Sequence, residues 1–171
     1  MRSRPLLSVF PALTGLLPKA ALPVVADRES AQGGIGAPAK TACDWKADLP
    51  QERYRVLFAE GTEFAHSSPL NSEKREGTFI CAACHQPLFA SSRKYNSGSG
   101  WPSFWEALPG AVAFKTDYKL LMPRTEYHCS RCGGHQGHVF KDGPQPSGER
   151  YCNNGLALLF IPRGEPLPTP R

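Results

Sequence analysis

The stretch Glu126-Tyr127-His128-Cys129-Ser130-Arg131-Cys132-Gly133-Gly134-His135-Gln136-Gly137-His138-Val139-Phe140 decides how the chain folds. A β-type run over 124–129 leads into it, a Cys-x-x-Cys turn interrupts it, and a second β-type run over 137–140 leaves it. The same grain continues outward. Short β-type runs fall at 77–81, 87–89, 151–153 and 156–161, separated by Gly, Pro, Ser and Asn. One segment carries a helical period: over 50–61, Tyr54, Leu57 and Phe58 share a face, Pro50 suits the first turn, and Gly61 is placed to take a left-handed stop. The pattern predicts a mainly antiparallel β domain behind a helical N-terminal piece. The tail 164–171 is too rich in proline to extend a sheet.

Four of the six cysteines form two such turns, Cys81/Cys84 and Cys129/Cys132. Tetrahedral Zn²⁺ accepts four thiolates, and a two-residue spacing lets one turn present both its sulfurs to one ion. Two redox-active turns or two disulfides are the competing reading. The 44 residues between the pairs would then fold as an insertion, so the metal would join distant parts of the β domain. A Cys₄ set leaves no open coordination position, which makes the ion structural rather than catalytic.

Cys152 stands apart, in Gly148-Glu149-Arg150-Tyr151-Cys152-Asn153-Asn154-Gly155. On a strand Arg150, Cys152 and Asn154 point to one face, which brings a guanidinium and a carboxamide beside a single sulfur. A neighbouring cation favours the nucleophilic thiolate. Trp101 lies in Gly98-Ser99-Gly100-Trp101-Pro102-Ser103-Phe104, where flanking glycines and a proline shape a tight loop. It suits either the core or an apolar pocket wall. His135 and His138 offer alternative metal ligands, but a Cys₄ set already satisfies the ion; an ordinary role and a functional one are otherwise evenly balanced.

With 171 residues, 40% of them apolar, the chain has room for one domain plus a tail and excludes two large ones. Residues 1–26 contain Arg2, Arg4 and Lys19, no acid, and an apolar stretch broken by prolines. They read as a secretory signal peptide, with an organellar transit peptide as the other reading and a cytoplasmic location as a third. No stable membrane span is expected. Residues 27–43 read as a flexible linker, so the folded part should begin near Asp44. The targeting segment carries three of the net +5 charges, and the remaining +2 is scattered. That weakens the rival function, a zinc-ribbon module binding nucleic acid or protein.

The motifs GSGWPSF (98–104), HQGHVF (135–140), DGPQPSGERYCNN (142–154), SSPLN (67–71) and the paired cysteines together resemble the B-type, R-specific methionine sulfoxide reductases. The resemblance runs from about Trp45 to Pro162. It implies a mainly β domain over 44–163, with two antiparallel sheets packed as a partly open barrel, short N-terminal helices and a structural Cys₄ zinc site. It implies Cys152 as the catalytic cysteine and Trp101 against the substrate methyl group. His135, His138 and Asn154 would surround the sulfoxide oxygen, and Arg150 would lie close to the sulfur. Implied partners are methionine R-sulfoxide in peptides and thioredoxin or a similar thiol donor, acting on a monomer that binds no nucleic acid. A resolving cysteine found in many members is replaced here by Ser99, and an alternative one by Ser67. Cys43 is the other unpaired cysteine and the candidate to resolve Cys152. Gln136 and Asn153 stand where apolar residues are common.

Overall fold

The computed structural model describes residues 40–119 and 121–171. The expected targeting segment and linker residues 27–39 lie outside the described residues. Helix α1, Ala42–Asp48, opens on a capping box: Thr41 accepts from the Asp44 amide, and the Asp44 carboxylate accepts from the Thr41 amide at 2.7 Å. The helix starts inside the stretch read as linker, so the Cys43 backbone belongs to its first turn. Helix α2, Gln51–Phe58, follows with Pro50 as its N-cap. The left-handed residue after it is Glu60, at φ 49°, and not Gly61. Gly61 is needed for a different reason. Its amide donates to the Arg55 carbonyl at 2.9 Å, and a Cβ there would stand 3.0 Å from that oxygen. Trp45 stacks on Phe58 with ring centroids 5.8 Å apart, which joins the two helices.

Nine strands follow among the described residues: β1 Gly77–Cys81, β2 Pro87–Ala90, β3 Lys94–Tyr95, β4 Ser103–Phe104, β5 Val112–Asp117, β6 Arg124–Cys129, β7 His135–Phe140, β8 Arg150–Asn153 and β9 Leu158–Pro162. They form a three-stranded sheet, β2-β1-β9, and a six-stranded sheet, β3-β4-β8-β7-β6-β5. All pairings are antiparallel. The sheets are not closed into a barrel. Closure would need the outer strands to pair, and β3 is two residues long while the middle of β5 is exposed.

Aromatic rings from both sheets fill the core. Phe89 of β2 stacks on Phe104 of β4 at 4.2 Å, Phe79 of β1 meets Phe104 edge-on at 4.9 Å, and Tyr127 and Tyr151 meet at 5.3 Å. Phe79, Phe89 and Phe104 are fully buried. Truncating any of them to Ala should cost about 3–5 kcal/mol. Leu57 of α2 reaches the other side of this core, where an added Cβ on Gly134 would lie 3.0 Å from it. The packing fixes β8 between β4 and β7. Cys152 therefore faces Ser103 on one neighbour and His138 on the other.

Candidate active site

The two Cys-x-x-Cys turns follow β1 and β6 and meet across the sheets. All four sulfurs lie within 4.8 Å of one another, with Cys81 to Cys132 at 3.7 Å and Cys84 to Cys129 at 3.5 Å. These are free thiols, not disulfides. A tetrahedral ion with Zn–S bonds of about 2.3 Å separates its sulfurs by about 3.8 Å, so the cluster fits one metal ion of that size. Hydrogen bonds from Cys129, Cys132 and Cys84, then burial, push the Cys81 thiol well above its ordinary value. A central cation would reverse that balance.

Cys152 borders a cavity of about 140 Å³, with Trp101, His138, Phe140, Arg124, Thr62 and Asn154 among its walls. A larger open groove of about 580 Å³ lies by the start of β1 and the end of β9 and holds no cysteine or histidine. Of the two, the smaller one carries both a cysteine and a histidine. Cys152 and His138 are directly opposed in the β7–β8 register, so their side chains leave the same face. Trp101 is held by its indole N–H, which donates to the Glu63 carbonyl at 3.2 Å. Asn154 accepts from the Glu63 amide at 3.1 Å and donates to the Gln136 carbonyl at 3.1 Å.

Arg150 extends from the strand of Cys152 but its Nε and Nη2 donate side-on to the two oxygens of Asp142, at 2.8 Å each, and it lies over the Phe140 ring. Burial pushes the Cys152 thiol above its ordinary value, with Ser99 and Arg150 pulling the other way. Burial wins, so the resting sulfur is a thiol at neutral pH and not the thiolate that a nearby cation alone suggests. His135 stands behind His138, ring centroids 5.6 Å apart, buried and hydrogen-bonded through Nδ1 to Glu126 at 2.8 Å. The backbone of Cys43 is in α1, away from the strands that carry this cavity in the sequence of elements.

The SelR domain profile matches residues 49–162. The peptide methionine sulfoxide reductase MsrB of Leptospira interrogans is 51% identical over 118 residues, 68% of this chain and 90% of that protein. MsrB of Thiobacillus denitrificans is 50% identical over 72% of this chain and 95% of its own length. MsrB of Methanosarcina mazei is 48% identical over 71% and 87%. The chain belongs to the SelR family.

The SelR site contains residues that sequence reasoning missed. Glu63, 6% exposed, accepts from the Gly155 and Leu156 amides at 2.6 and 2.9 Å, which pins the turn after Asn154. Asp117 accepts from His138 Nε2 at 2.8 Å and from Arg124 at 2.6 Å. Glu126 faces His135 and, at 3.3 Å, Lys115. Ser99, noted only for the thiol it lacks, lies 3.9 Å from the Cys152 sulfur, and Ser97 links it to Ser103 at 2.8 and 2.7 Å. Glu63 and Asp117 are 89 and 35 positions from Cys152, and no local signal marks them.

Proposed function

We propose that this chain reduces the R-epimer of methionine sulfoxide, chiefly in peptides, through Cys152. The observation that carries the reading is the cross-strand opposition of Cys152 and His138 at the wall of a small cavity shared with Trp101. A sulfoxide sulfur accepts a nucleophile only as its oxygen gains a proton, so the reaction needs a thiol, a proton carrier and an apolar surface for the methyl group. Cys152 supplies the first, His138 the second and Trp101 the third, with Asn154 beside the oxygen. The oxygen leaves methionine and ends on Cys152 as a sulfenic acid; the sulfoxide is reduced by two electrons and the thiol oxidised by two.

A thiol donor of the thioredoxin kind then attacks the sulfenic acid, releases water and, with a second thiol, restores Cys152 while leaving as a disulfide. Helix α1 takes the place of the flexible tether expected around Cys43, which favours direct attack by the donor. The four-cysteine cluster holds one Zn²⁺ that bonds only to sulfur and ties β1 to β6. Residues 1–26 direct the chain out of the cytoplasm, a reading supported by their basic start and absence of acids.

Purified chain with dithiothreitol should reduce dabsylated methionine R-sulfoxide and leave the S-epimer untouched. Cys152→Ser should abolish turnover while keeping the far-UV spectrum. Turnover surviving in Cys152→Ser would end the proposal.

A further inference from the structure

In this mechanism a resting thiol must lose its proton and an oxygen must gain one, and a buried carboxylate that the reaction does not touch decides which atom carries it. Asp117 ends β5, its side chain 4% exposed, and accepts three hydrogen bonds. The Lys119 amide donates to Oδ1 at 2.9 Å; Arg124 Nη2 and His138 Nε2 meet Oδ2 at 2.6 and 2.8 Å. The Lys119 amide, then His138 and Arg124, hold the carboxyl well below the ordinary carboxylate range. An ionised carboxylate has no proton to donate, so the hydrogen in the His138 contact sits on Nε2.

Burial, with Arg124 and His135 adding to it, holds the His138 imidazole below its ordinary value against the upward pull of Asp117. The ring is therefore neutral at neutral pH, protonated at Nε2, with an open lone pair at Nδ1. The charged groups around it are Asp117 from β5, Arg124 and Glu126 from β6, His135 on its own strand and Cys152 from β8. Arg124 already neutralises Asp117, and Lys115 faces Glu126. The three-donor cluster of Asp117, Glu126 and His138 is thus charge-balanced by protein groups.

We infer that Asp117 is the positioning residue of the proton transfer: by accepting a hydrogen bond from His138 Nε2–H it reserves Nδ1 to take the Cys152 thiol proton and deliver it to the sulfoxide oxygen. One proton leaves sulfur, rides on the imidazole as imidazolium while the thiolate attacks, and ends on the oxygen. The imidazolium formed between the two transfers is stabilised by the Asp117 charge. His135 is oriented the other way round, through Nδ1 to Glu126, and does not line the cavity.

The inference rests on the proposed reaction, but its first test needs no turnover. In ¹⁵N-labelled wild-type chain near pH 7, His138, assigned by comparison with His138→Asn, should show a protonated Nε2 and an unprotonated Nδ1. An Asn amide at 117 can donate to Nε2 and drive the proton to Nδ1. Asp117→Asn should therefore shift the tautomer, lower kcat by roughly 10- to 100-fold with KM within twofold, and move the imidazole limb of the pH profile to lower pH. A wild-type Nδ1–H tautomer, or an Asp117→Asn chain with unchanged tautomer and kcat, would overturn it. If that variant does not fold, the wild-type spectrum still decides. Absence of sulfoxide reduction in wild type would fall on the reaction, and a wrong tautomer on Asp117.

Discussion

Residue by residue, the site is a set of polar side chains held by particular hydrogen-bond partners. Ser99 is the clearest case. Its hydroxyl stands 3.9 Å from the Cys152 sulfur, close enough that a thiol in its place needs little movement to reach bonding distance. Ser99→Cys should therefore convert the oxidised product: after one turnover without reductant, wild type should yield a dimedone-reactive sulfenic acid, whereas the variant should yield a disulfide to Cys152 and no adduct. Mass spectrometry of the tryptic peptides distinguishes the two. Gln136 and Asn153, polar where apolar residues are common in the family, are both fully buried and both satisfied in part. The Gln136 amide reaches the Cys81 sulfur at 3.6 Å, and Asn153 accepts from the Tyr127 hydroxyl at 2.7 Å. Arg150 and Cys152 could be read together because β8 alternates; Asn154 lies one residue past that strand and still reaches the cavity. Asp117 could not be read this way, since only the antiparallel register of β5, β6 and β7 brings it to His138.

At the scale of elements, β7 and β8 must approach closely, and the loop before the first strand must hold their far end. Gly137 makes the approach possible: a Cβ there would lie 1.9 Å from the Cys152 carbonyl oxygen. Gly137→Ala should destabilise the chain by about 1–3 kcal/mol or more and lower kcat, because relief of the clash moves the strand carrying Cys152. Glu63 holds the loop. Removing its carboxylate in Glu63→Ala leaves one buried and one part-buried amide without acceptors, a loss of about 2–4 kcal/mol, and frees the segment whose carbonyl fixes Trp101. Urea titration should show the lower stability, and KM for the sulfoxide should rise. Glu60 adds a pH dependence. Hydrogen bonds from Lys115 and then Lys119 lower its carboxyl from 4.5 to about 2, so its contribution is present above pH 4.5 and lost as pH falls toward 2. Glu60→Gln should flatten the fall in Tm over that window, and salt should shrink the difference. The strands at 77–81 and 124–129 were readable to the residue, because their buried side chains announce them. β5 was not: its middle residues are exposed, β3 and β4 are two residues each, and such runs leave no period to detect.

Across the whole molecule, the two cysteine turns join two sheets that strand pairing leaves separate. Cys81 ends a strand of the small sheet and Cys129 a strand of the large one, so an ion among the four sulfurs cross-links sheets that share no strand pair among the described residues. The pairing of the four cysteines was readable from spacing alone; that their cluster bridges two sheets was not, because spacing says nothing about which sheet each turn leaves. The same link reaches the active site. Gln136 bonds the Cys81 sulfur through its side chain, while its carbonyl accepts from both the Asn154 amide and the Asn154 side chain, at 2.8 and 3.1 Å. Metal loss should therefore do two separable things. Four thiols, three of them buried, would lose the charge that holds them together, and the strand pair bearing His138 and Cys152 would lose one of its anchors. Stripping the ion with a mercurial and a chelator should release one Zn²⁺ per chain, read by a chromogenic dye, and lower Tm by several degrees or more. Gln136→Leu keeps the four sulfurs but removes the amide that links them to β7. It should retain the metal and most of the stability, yet weaken the dependence of kcat on metal occupancy. If the stripped chain keeps its Tm, the cluster does not hold the sheets together; if Gln136→Leu loses metal in step with activity, the link runs through the ion itself and not through that amide.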